Sequence, residues 1–250
     1  MTAPGPTMDV DNPMTWPGTL ADRVFQLAEQ VRGTADLCVE LDVWQHACEL
    51  CRLLDGWLVR AFHCTRLLDH EVDAIRAQGL RALAADLISS RLTGALNHGH
   101  ISEAEHAELD ETHHFAKPFS RQAQDLLAGK VCLALPRRAF DDRPDGFRPL
   151  LTRWGGEAIY ARHYNGRAPL VDRLKAIGRP TIVVARVELS DPSRHYMSPS
   201  LAHLLVGTVL QLPDAHSSLH YKANIPAEHI EQLLQPGDPD YDRHVDLPTS

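Results

Sequence analysis

The 250-residue chain lacks any apolar run approaching the roughly eighteen residues that a membrane-crossing helix needs. Its start, Met1 to Thr15, carries Pro and Asp where a signal peptide would carry an apolar stretch, so a cytoplasmic protein with no membrane partner is expected. Cysteine is scarce. Five residues (Cys38, Cys48, Cys51, Cys64, Cys132) are an odd number without the density of a disulfide framework, and reduced thiols are expected. Positive charge is in deficit, 25 Lys and Arg against 33 Asp and Glu. The resulting −8 excludes a surface that coats nucleic acid or anionic lipid by charge alone. Also missing are a Gly-rich phosphate loop ending in Lys-Ser or Lys-Thr, a Gly-x-Ser-x-Gly elbow and a His-Glu-x-x-His helix, which removes the commonest enzyme signatures. What the chain does have is 44% hydrophobic content, enough for a core, and fifteen histidines, an unusual number.

The organisation expected along the chain is α+β, a helical N-terminal region followed by a mixed, β-rich domain. Residues 1–18 hold four prolines and little apolar pattern, and read as a disordered leader. Residues 19–56 read as helical: Leu20, Val24, Leu27, Ala28 and Val31 recur at helical spacing up to Gly33, and a second stretch runs from Cys38 to Leu54. Residues 57–235 form the main domain. Trp57 to Phe62 suits a buried strand, Glu71 to Leu87 returns to helical spacing with a break at Gly79, and Ser102 with Glu105 fits a capping box. Lys130–Leu135, Thr181–Leu189, Leu204–Leu212 and Leu219–Ala223 are short runs that read as strands. Residues 236–250 are polar and read as a frayed tail.

Three segments carry candidate chemistry. In Phe62-His63-Cys64-Thr65-Arg66, a ring nitrogen and a hydroxyl stand at the expected strand end, where the strand can aim both at a ligand. In Trp154-Gly155-Gly156-Glu157-Ala158-Ile159-Tyr160, two glycines lie between aromatic surface and a carboxylate, a setting open to a ring-containing ligand. The third runs from His216 to Ile230, through Ile225-Pro226. Together, over about Trp57 to Leu234, these resemble the ADP-ribosyltransferase superfamily in its His-x-Thr form. The resemblance implies an ADP-ribosyltransferase-like domain that uses NAD as substrate, with His63, Thr65 and Arg66 on the dinucleotide and Trp154, Gly155 and Tyr160 around the nicotinamide. Glu157, with His63, would serve the cleavage of the nicotinamide–ribose bond. The chain departs from the family twice: Cys64 stands where many members have Gly, and the late acid is missing. Between Asp214 and Glu228 there is no carboxylate, and His216, Ser218 or His220 takes its place. Glu157 or Asp214 would then supply it. Otherwise the chain is a non-catalytic NAD- or nucleotide-binding regulatory module. An RNA 2′-phosphotransferase-like enzyme is a further alternative. The acceptor (a protein, a nucleic acid or water) is not encoded in these motifs.

The remaining polar clusters point elsewhere. Cys48-x-x-Cys51 with His46, His63 and Cys64 is the one set with zinc-like composition, but both cysteines lie in a helical apolar pattern, so no metal is expected. His113-His114 and His98-x-His100 read as solvated. Arg137-Arg138, and Arg148 with Arg153, are candidate phosphate contacts.

Overall fold

The computed structural model describes residues 5–33, 44–116, 127–160 and 169–249. Its centre is a seven-stranded sheet: β1 (Thr7–Met8), β2 (Leu58–Leu67), β3 (Val131–Leu135), β4 (Arg179–Val187), β5 (His195–Ser198), β6 (Ser217–Tyr221) and β7 (Ile230–Leu234). The spatial order is β5-β6-β3-β2-β4-β7, antiparallel throughout except for β1, which pairs parallel with β2. Helices α1 (Gly18–Val31), α2 (Trp44–Arg52), α3 (Asp69–Gln78), α4 (Ala85–Asn97) and α5 (Glu103–Thr112) precede β3. Then come α6 (Ala139–Asp142), α7 (Pro144–Thr152), α8 (Glu157–Tyr160), α9 (Pro169–Ala176), α10 (Leu201–Val209) and α11 (Pro239–Asp242). The class is α+β, as the order of sequence patterns implies.

Alternation along β2 explains how the sheet is covered. Val59 and Ala61 face one side, where α1 and α10 pack over the sheet and Leu20, Val24, Leu27, Leu204 and Leu205 are buried. Phe62 and Cys64 face the other, against Phe140, Leu151 and Tyr241. A third cluster, formed by Ile88, Leu92, Leu109, Trp154, Tyr160 and Leu174, lies among the helices that follow β2.

Several sequence expectations change. Residues 5–18 of the expected leader belong to the fold: Thr7 and Met8 pair with Leu58 and Val59, and Met8, Val10 and Trp16 join the main core. Asp9 and Asp11 reach Arg60 and Arg138 at 2.7 Å each, so three apolar anchors and two ion pairs compensate the ordering entropy that composition alone appeared unable to repay. The tail packs too, with Tyr241, His244 and Leu247 buried. Leu201–Val209 is a helix, not a strand. Ser200 caps it by accepting from the His203 N–H at 3.2 Å, and its burial on nearly every side erases the periodicity that would have identified it. Strand β2 runs five residues past Phe62, because β4 pairs with it continuously from Val59 to Leu67. Of the second helical stretch, residues 38–43 lie outside the described residues. Its remainder is helical as far as Arg52, the end of α2. The break at Gly79 and the Ser102–Glu105 capping box are both present.

Candidate functional site

The two edges of β2 are treated differently. On one, β4 forms an unbroken ladder. On the other, β1 covers Leu58 and Val59, and β3 pairs only at Phe62↔Ala134. From His63 onward that edge has no strand ladder, and a cavity of about 540 Å³ opens where β2 and β3 part. Its wall includes His63, Cys64 and Thr65 from β2, and Cys132 and Ala134 from β3. Ser218 and His220 come from β6, where register sets them beside Ala134 and Cys132. Gly155, Gly156 and Glu157 enter from the turn into α8, and Arg81, Arg91, His114 and Lys130 from the helical side. Leu83, Leu87, Phe147 and Leu150 make the wall partly apolar.

His63 spans the parting strands. Its Nδ1 lies 2.8 Å from the Cys132 carbonyl oxygen, and since a carbonyl can only accept, Nδ1 carries the proton. Burial, with the charge of Arg91, holds the imidazole below its ordinary pKa against the opposing effect of that carbonyl. The ring is therefore neutral near pH 7, with Nε2 as an acceptor. Thr65 shares the same face two residues on and is buried. Burial and the nearby Glu157 carboxylate push the Cys132 thiol up to about 11, against the opposing charge of Lys130, and burial raises Cys64 as well. Neither thiol is poised as a nucleophile at neutral pH.

The structure brings together His63, Thr65, Gly155 and Glu157 among the residues singled out in the sequence. It does not bring Arg66, Trp154 or Tyr160 to the cavity wall. Arg66 is one residue out of phase with Thr65 and points to the opposite face, where Nε donates to the Ile177 carbonyl at 2.7 Å and Nη1 to that of Leu151 at 3.3 Å. Trp154 and Tyr160 are buried in the helical cluster, and Trp154 Nε1 donates to Glu71 Oε2 at 2.8 Å. Gly155 is required by packing as well as by backbone: its φ is +100°, and a Cβ there would run into the Ile159 side chain. The candidate phosphate arginines are engaged elsewhere, Arg138 with Asp11 at 2.7 Å and Arg148 with Asp145 at 2.7 Å, and none of the four lines the cavity.

Sequence reasoning missed Arg91, Arg81 and Lys130. Arg91 carried a readable signal, since Ile88, Leu92 and Ala95 form the buried face of α4 and Arg91 falls on that face, three residues after Ile88. His113 is buried rather than solvated, with Nδ1 accepting from the Phe115 N–H at 3.0 Å, and His98 stacks on His70 with centroids 4.3 Å apart. Among the described residues no three His, Cys, Asp or Glu side chains are placed to share a metal ion. Cys48 and Cys51 are free thiols on α2, and Cys51 Sγ lies 3.9 Å from His195 Nε2. No helix among the described residues is long and apolar enough to cross a membrane. No family model matches the chain, and no curated protein or solved structure matches it.

Proposed function

We propose that the cavity binds NAD and that the protein cleaves its nicotinamide–ribose bond, passing ADP-ribose to an acceptor or to water. The observation that supports this reading is that parts of three segments distant in sequence line one cavity: His63 with Thr65, Gly155 to Glu157, and Ser218 with His220. A volume of about 540 Å³ falls within the ~300–1,000 Å³ range of small-molecule sites. In this reading the neutral His63 accepts a ribose hydroxyl at Nε2 and Thr65 adds a second polar contact. The nicotinamide ring lies against Leu87, Phe147 and Leu150, since Trp154 and Tyr160 belong to the core. As the C1′–N bond breaks, its electron pair leaves with nicotinamide and positive charge grows on the ribose. Glu157 stabilises that charge more than it stabilises bound NAD, and the oxygen of water or of the acceptor then bonds to C1′ and releases a proton.

The test is incubation of the full chain with NAD labelled in the nicotinamide ring. Wild type is expected to release nicotinamide. His63→Ala and Thr65→Ala are expected to weaken NAD binding by about 1–3 kcal/mol in calorimetry. Glu157→Gln is expected to keep affinity within a few-fold while turnover falls by roughly two orders of magnitude. Absence of both binding and nicotinamide release in wild type would overturn the reading. A non-catalytic nucleotide-binding module is the second reading, favoured by one observation. Strand β6 offers Ser218 and His220 to the cavity, and among the described residues Glu157 is the one carboxylate that lines it. NAD would then raise Tm without any nicotinamide being released.

A further inference from the structure

Arg91 is held from three directions in the cavity wall. Its Nε donates to Glu71 Oε1 at 2.6 Å, its Nη1 faces the Gly155 carbonyl at 3.4 Å, and its guanidinium carbon lies 5.2 Å from the centre of the Trp154 ring. Glu71 is itself held, with Oε2 accepting from the Leu68 N–H and from Trp154 Nε1, each at 2.8 Å. Carboxylate on one edge and indole on one face therefore fix the plane of the fork before any ligand arrives. The remaining terminal nitrogen, Nη2, is shut off from solvent, and no described residue accepts from it. A charged donor left in that state is costly, and an oxygen that reached it from the cavity through a small opening of the wall would relieve that cost.

We propose that Arg91 is a specificity-determining residue that grips an oxyanion of the cavity's ligand, and that the ligand class is a nucleotide diphosphate. The choice of a diphosphate rests on the rest of the wall. Arg81 and Lys130 join Arg91 there, against the single carboxylate, that of Glu157, among the described lining residues. Glu71 pairs with Arg91 and Asp86 with Arg81, so both arginines contribute directed N–H donors more than unbalanced charge. Such donors suit adjacent phosphate oxygens, which accept a planar fork in pairs. The assignment rests on the reading of this cavity as the ligand site, but does not need NAD to be cleaved.

The test uses inorganic pyrophosphate as probe, with binding to the full chain followed by calorimetry. Wild type is expected to bind it in competition with ADP. Arg91→Lys keeps the charge beside Glu71 but loses the fork, and is expected to bind at least about tenfold more weakly. Arg52→Gln, at an exposed position on α2, controls for loss of a positive charge and is expected to bind as wild type. Near-UV circular dichroism checks that each variant is folded. Equal pyrophosphate affinity in Arg91→Lys, or no pyrophosphate binding by a wild type that does release nicotinamide from NAD, would overturn the role of Arg91 and leave the NAD reading intact. Arg91-dependent pyrophosphate binding without nicotinamide release would support Arg91 and overturn the cleavage. A crystal structure of wild type with pyrophosphate decides the matter without any variant: a phosphate oxygen within hydrogen-bond reach of Arg91 is expected, and one bound elsewhere would sink the proposal.

Discussion

Glu71 shows how one buried charge organises its neighbourhood. Burial pushes its carboxyl pKa up, but the charge of Arg91 and hydrogen bonds from Arg91, Leu68 and Trp154 outweigh it and hold the group below the usual carboxylate range. Its stabilisation is therefore present above the unfolded carboxylate pKa and lost as pH falls through the lower folded value. Removing the carboxylate leaves the Arg91 charge in a low-dielectric setting without its partner. Glu71→Ala is expected to cost about 3–5 kcal/mol in urea unfolding. A value near that of a surface substitution would mean that Arg91 finds water instead. Gly79 makes a second residue-scale case. It closes α3 at φ +82°, and a Cβ there would collide with the Ile225 carbonyl, whereas Gly129, at φ +70°, faces open space. Gly79→Ala is expected to cost about 3 kcal/mol and Gly129→Ala about 1 kcal/mol, the first combining backbone strain with overpacking and the second strain alone. Comparable losses from the two variants in thermal melts would rule out this distinction.

Among the elements, β1 separates composition from structure most sharply. Four prolines before Gly18 read as disorder, yet Met8, Val10 and Trp16 are buried in the core shared by α1, α10 and the sheet. Full burial of such side chains is worth roughly 1.5–3 kcal/mol each, a large part of the ~5–15 kcal/mol stability of a typical domain. Deleting residues 1–16 is expected to lower Tm by at least about 10 °C or to prevent folding; an unchanged Tm would restore the reading as a leader. The helices and strands with a clean period were legible. Helix α1 follows its apolar spacing, and α5 begins at its Ser102–Glu105 box, where the Ser102 N–H donates to Glu105 at 2.7 Å. Strand β7 was not legible. Glu231 and Gln232 dilute its apolar pattern, and only the ladder with β4 and the Arg60–Glu231 pair at 2.6 Å make it a strand.

At the scale of the whole molecule, five of the fifteen histidines couple burial to protonation. The imidazoles of His63, His70, His113, His195 and His216 are all held below their ordinary pKa, in each case first by burial. A base with a depressed folded pKa is neutral in the native state and takes up a proton on unfolding. Its contribution is complete above about pH 6.5 and is lost as pH falls through the folded values. Tm is expected to hold above about pH 6.5 and to fall as pH drops from there toward about 5. His195→Gln should shallow that slope, because His195 is buried against the Leu189 carbonyl at 3.2 Å and Cys51. Calorimetric scans across this range check both, and a Tm independent of pH above 5 would show that the imidazoles titrate alike in the folded and unfolded chain.

Local information in the sequence determined the α+β class, the start of α5, the stop at Gly79 and the phase relation of His63 to Thr65, because spacing, caps and alternation act within a few residues. It did not determine that β2 continues to Leu67, which depends on β4 arriving more than a hundred residues later along the chain. Nor did it separate Thr65 from Arg66 or Glu157 from Trp154, residues close in sequence that the fold sends to different environments. That separation comes from the parting of β3 from β2 after a single pair and from the Glu71–Arg91–Trp154 contacts. Burial and charge pairing at these positions depend on which distant segments share a surface, and only the tertiary structure decides that.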